Sequence, residues 1–118
     1  LDSPPIVNNG TGISLTGNII TLAPSSVYLI KFHVIGFATQ VGIGCDVNLQ
    51  LNGSNFNHTQ TTAGMSGPRS GNASGGGIIV TPSGAPSTLT IVNSTFSSIT
   101  LLGNNNRRSI SIRIVQIG

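Results

Sequence analysis

Glutamate is absent from this 118-residue chain, and Asp2 and Asp46 are its only acidic side chains. Acid/base catalysis by paired carboxylates needs two such groups held at a fixed separation. Asp2 stands on a proline-bearing arm at the start of the chain, so that chemistry is excluded. Tryptophan is also missing, and charged residues make up only 6%. The sequence pI near 10.0 therefore reflects scarcity of acids, since the net charge is only +3. Lys31, Arg69, Arg107, Arg108 and Arg113 form no sustained stripe, which argues against a nucleic-acid footprint. Cys45 is the only cysteine, so no intrachain disulfide and no thiolate metal cluster can form. Its place in an alternating apolar run predicts a buried, inert thiol. No apolar stretch approaches the length of a membrane-spanning helix, so membrane insertion is not expected. The opening Leu1-Asp2-Ser3-Pro4-Pro5 lacks the basic and apolar regions of a signal peptide, so export either uses none or has removed it.

What remains is rich in Gly, Ser, Thr and Asn, with 37% hydrophobic residues, a composition for a durable, nearly uncharged surface. Helical periodicity is nowhere convincing and alternation is almost everywhere. Leu1 to Asn9 reads as an extended arm, because Pro4-Pro5 disfavours helix and removes two backbone donors. Short strands are predicted over Ile13–Leu15 and Asn18–Leu22, then a turn at Ala23–Ser26. Tyr28, Ile30, Phe32 and Val34 alternate along a long strand with one apolar and one mixed face, the second carrying Lys31 and His33. Val41, Ile43, Cys45, Val47, Leu49 and Leu51 make the clearest alternation. Asn52-Gly53 follows, the favoured pair for a two-residue hairpin turn, with Ser54–Thr59 returning. Thr61 to Gly77 reads as a long loop. Ile78–Val80, Ser87–Asn93, Ser98–Leu102 and Ser109–Ile117 complete about eight to ten strands. The expectation is an all-β sandwich or barrel, with an arm over residues 1–11 and one domain over 12–118.

Several segments, in order, carry a resemblance. They are Gly12-Ile13-Ser14-Leu15, Gly17-Asn18-Ile19-Ile20-Thr21-Leu22-Ala23-Pro24, Tyr28-Leu29-Ile30, Leu49-Gln50-Leu51-Asn52-Gly53-Ser54, Ser87–Asn93, Ser98-Ile99-Thr100-Leu101 and Ser109-Ile110-Ser111-Ile112. Together they resemble the C1q/TNF-like globular heads of bacterial collagen-like spore-surface proteins. The resemblance implies a jelly-roll β-sandwich assembled as a homotrimer on the exosporium or its filaments. The collagen-like Gly-X-Y stalk of that family is not in this sequence; if the arm is the native N-terminus, something other than a stalk must connect the trimers. Pro4, Pro5, Ile6 and Val7 are then the candidate inter-subunit connector, stacking trimers head to tail. The start, Pro4-Pro5-Ile6-Val7-Asn8-Asn9-Gly10 with Gly12–Leu15, also resembles the shaft repeats of adenovirus fibres. That second resemblance implies a trimeric fibre head on a virion.

Candidate chemistry is sparse. A nucleophile–His–acid set would need His33 or His58 beside a serine or Cys45, with Asp46 as orienter. Neighbours Cys45 and Asp46 alternate across a strand and face opposite ways. No enzyme is expected, and no cofactor or metal. Gly75-Gly76-Gly77 and Gly10-Thr11-Gly12 open no helix, so they read as turns and not as phosphate cradles. The Asn-X-Ser/Thr sequons at Asn9, Asn52, Asn57, Asn72 and Asn93 are chance matches in a chain of this composition. Arg69, Asn105, Arg107 and Arg108 are candidate ligand-loop residues for the alternative function, a head that recognises a glycan or host receptor. The leading expectation is a structural subunit of a spore-surface appendage whose main partner is itself.

Overall fold

Alternation over Val27–Ala38 produces β3, the longest strand of the computed structural model, which describes residues 10–38, 45–55, 61–63, 71–93, 99–101 and 110–118. These residues form ten strands in two antiparallel sheets, with no helix among them. The others are β1 (Ile13–Thr16), β2 (Ile19–Leu22), β4 (Cys45–Leu51), β5 (Ser54–Asn55), β6 (Thr61–Ala63), β7 (Gly71–Val80), β8 (Ser87–Asn93), β9 (Ile99–Leu101) and β10 (Ile110–Gln116). Sheet A runs β1-β2-β8-β4-β5, with β6 also on β4; sheet B runs β10-β3-β7, with β9 also on β3. The pairs β2·β8, β3·β7 and β4·β6 enclose one another in sequence.

One core joins the sheets. Tyr28, Ile30, Phe32 and Val34 of β3 are buried, as their alternation predicts, and meet Ile20, Leu22, Val47, Leu49 and Leu89 from sheet A. Burying a side chain of this size contributes about 1.5–3 kcal/mol. Ile110, Ile112 and Ile114 pack half-buried against the same core. Asn52-Gly53 makes the expected hairpin turn, with φ of 52° and 80°. The Asn52 amide pins it: its oxygen accepts the Thr88 backbone N–H (2.9 Å) and its nitrogen donates to Ser87 Oγ (3.3 Å).

One expectation is corrected. Within the expected loop Thr61–Gly77, Thr61–Ala63 is a strand paired with Val47–Cys45 and Gly71–Gly77 is the first part of β7, while residues 64–70 lie outside the described residues. Packing requires one glycine of β7. A Cβ on Gly76 would collide with the carbonyl oxygen of Ile30 on β3, so only a bare backbone fits at that place. The expected strand residues 41–44 and 56–59 lie outside the described residues, as do Ser98, Leu102 and Ser109 at the ends of the last two expected strands.

Two hydroxyls hold the closed end of the body. The Tyr28 hydroxyl donates to Gly12 O (2.8 Å) and accepts the Ala23 N–H (3.0 Å). Thr81 Oγ1 donates to Ala23 O (2.6 Å) and accepts the Ser26 N–H (3.0 Å). Tyr28→Phe keeps the buried ring but drops both bonds of its hydroxyl, so it should cost about 1–2 kcal/mol in chemical denaturation. A midpoint equal to wild type would show that the hydroxyl does not tie β1 to the core.

Candidate functional site

Inward alternation on β3 dictates what points outward on the same sheet. Strand register sets the outer side chains of sheet B in rows across β10, β3 and β7. Val80 lies opposite Val27, and the Ile117 N–H donates to Val27 O (2.8 Å), which continues that row. The next row is Val115, Leu29 and Ile78; then Arg113, Lys31 and Gly76; then Ser111, His33 and Ser74. The first two rows are apolar and open to solvent. Val80 is 64% exposed, Ile78 58%, Val115 55% and Ile117 54%. Such a contiguous patch is a mark of an association surface.

The third row is cationic. Lys31 and Arg113 are cross-strand partners, an arrangement disfavoured in isolation because like charges directly opposite repel. Neither has an ion pair among the described residues. A trough of about 410 Å³ lies beside Lys31 and Gly76, lined also by Leu29, Phe32, Ser74, Gly75 and Gly77. A second hollow of about 310 Å³ is lined by Lys31, Phe32, His33, Ser111 and Arg113. The expected pairing of His33 with Lys31 on one exposed face is therefore found, with Arg113 added.

The outer face of sheet A differs. Ser14, Thr16 and Thr88 are exposed on it, Thr21, Thr90, Gln50 and Val92 are half-buried, Asn48 is buried, and Ile19 is exposed near its edge. Asp46 is half-buried on β4 and has an interaction partner. Among the described residues no three His, Cys, Asp or Glu side chains gather.

The connector residues Pro4, Pro5, Ile6 and Val7 lie outside the described residues. So do the ligand-loop residues Arg69, Asn105, Arg107 and Arg108, together with His58 and the side chain of Cys45. The structure therefore describes none of these candidate sites. It assembles instead a face the sequence reading missed. Its signal was present in Val27–Ile30, Ile78–Val80 and Ile114-Val115, where consecutive apolar residues break alternation. Strands apolar on both sides are those covered on both sides. No helix in the described residues is long and apolar enough to cross a membrane. Comparison with models of known protein families finds none that matches this chain, and comparison with curated proteins finds no match either.

Proposed function

We propose that the chain is a non-enzymatic structural subunit of a bacterial surface appendage or coat, built to associate with copies of itself. The carrying observation is the clustering of exposed apolar side chains: Leu29, Ile78, Val80, Val115 and Ile117 crowd onto sheet B, while Ile19 is the one large exposed apolar side chain described on sheet A. Burying such a face is favourable at about 25 cal/mol per Å² of apolar area. The near absence of charge fits this reading, because little ionic solvation is lost on contact.

The finer reading is a jelly roll of the C1q/TNF-like kind, forming homotrimers. The nested pairs β2·β8, β3·β7 and β4·β6 support it, since a jelly roll is a long hairpin rolled so that each pair encloses the next. Placement on a spore exosporium or its filaments rests on the ordered segments that carry the resemblance. Trimers joined end to end through the arm would grow as an open filament, because the contact unites different surfaces and does not close. Deleting Leu1–Val7 should leave trimers intact in analytical ultracentrifugation and abolish filaments in electron microscopy of untagged protein. Filaments that persist without the arm, or a full chain that never forms them, would defeat the connector role. Discrete trimers alone would favour the receptor-binding head.

A further inference from the structure

We propose that the cationic row of sheet B is an anion site completed by trimerisation, in which Lys31 and Arg113 of three copies gather about one tetrahedral oxyanion of the phosphate or sulfate class. The inference rests on the trimer reading above, with the apolar rows of this sheet as the face between copies.

Position is the first reason. The cationic row does not lie at the rim of that face. On its closed-end side come the apolar row of Val115, Leu29 and Ile78 and then that of Val27, Val80 and Ile117. On its other side, past Ser111, His33 and Ser74, β3 continues with Ile35, half-buried opposite Asn72. Successive rows on one face are only about 7 Å apart. Contact through the apolar rows therefore draws the neighbouring cationic row toward the axis. In a cyclic trimer every copy contributes the same residues, so this row meets its own equivalents.

Charge is the second. Lys31 and Arg113 are exposed cross-strand partners with no ion pair among the described residues. Three copies bring six such cations to one axis. Closing a face over them is costly, because they lose water and repel one another. The chain supplies too little counter-charge. It has two acidic side chains, and Asp46 stands on β4 in the other sheet, already with an interaction partner. Three Asp2 carboxylates, wherever the arm lies, would cancel only half of the six. A multivalent anion from solution makes up the difference.

Donor chemistry is the third. The hollow of about 310 Å³ lined by Lys31, Phe32, His33, Ser111 and Arg113 offers an ammonium, a guanidinium, a hydroxyl and an imidazole, with no carboxylate. Ser74, opposite His33, adds a second hydroxyl. Such a set donates to anionic oxygens, and its fixed charges repel a metal ion. A tetrahedral oxyanion has a three-fold axis of its own, so three of its oxygens can each face one copy.

The test uses the full, untagged chain in chloride buffer, with inorganic phosphate added at constant ionic strength so that screening does not change. Equilibrium dialysis with labelled phosphate should find one bound per three chains. Sedimentation should show trimer dissociation reduced at least tenfold by millimolar phosphate, because the anion binds only the assembled state. The double variant Lys31→Met, Arg113→Met keeps side-chain length and removes the charge. Its trimers should form without phosphate and lose the response, whereas Lys31→Arg should retain it. Wild-type trimers that neither bind phosphate nor tighten with it overturn the site and leave the trimer standing. Phosphate bound once per chain, and equally by monomers, overturns the shared site. A response that survives in the double variant puts the anion elsewhere and overturns this placement. A wild-type chain that stays monomeric with and without phosphate defeats the trimer reading and the site together.

Discussion

Val47→Asp should leave no folded protein. Val47 is 4% exposed and sits on β4, paired with Asn93 of β8 on one side and Thr61 of β6 on the other. A carboxylate there is either ionised in an apolar core or protonated at a cost, and both routes take several kcal/mol. The described cations Lys31 and Arg113 are on the outer face of the opposite sheet, so no salt bridge relieves it. A domain of this size commonly holds only about 5–15 kcal/mol in total. Val47→Ala, which removes volume without adding charge, should cost about 1–3 kcal/mol and keep the fold. Circular dichroism and one-dimensional proton spectra separate the outcomes. A soluble Val47→Asp chain with wild-type spectra would mean that this face of β4 does not point inward.

Gly76→Ala should be nearly as damaging, although alanine is the smallest step from glycine. The added methyl would run into the Ile30 carbonyl and also lies 3.0 Å from the Lys31 Cα, all of it backbone in the middle of β3. Backbone held on both flanks by β7 and β10 cannot step aside without breaking ladder hydrogen bonds. We expect a loss of about 3 kcal/mol or more, at the upper end for overpacking. Ser74→Ala, an exposed change on the same strand, should stay within about 0.5 kcal/mol. Thermal melting of the two variants decides it: if Gly76→Ala melts with wild type, the β3–β7 register is wrong.

The all-β class, the inward row of β3 and the Asn52-Gly53 turn were all legible in the sequence, because each depends on residues adjacent along the chain. Alternation reports the inner face of a strand without knowledge of its neighbours. The strand Gly71–Gly77 was not legible. Its glycines look like loop material until the crowding of Ile30 and Lys31 across the sheet is known. The exposed face was hidden for a similar reason: Leu29, Ile78 and Val115 are separate on the chain and become one patch only through register. Lys31 and Arg113 likewise become partners only when β10 lies beside β3.

The order of strands has a further consequence for how the domain comes apart. In sheet A, the early strands β2 and β4 do not touch; they are joined through β8, which comes from the late part of the chain. Sheet B reverses the roles, with late strands β7 and β10 held together by early β3. Each half of the sequence thus supplies the central strand of the other half's sheet. Neither half contains a complete sheet, so neither can persist as a folded fragment once the other is lost. The two layers stand or fall as a single cooperative unit, and a cut between β6 and β7 separates pieces that only reassociation can stabilise.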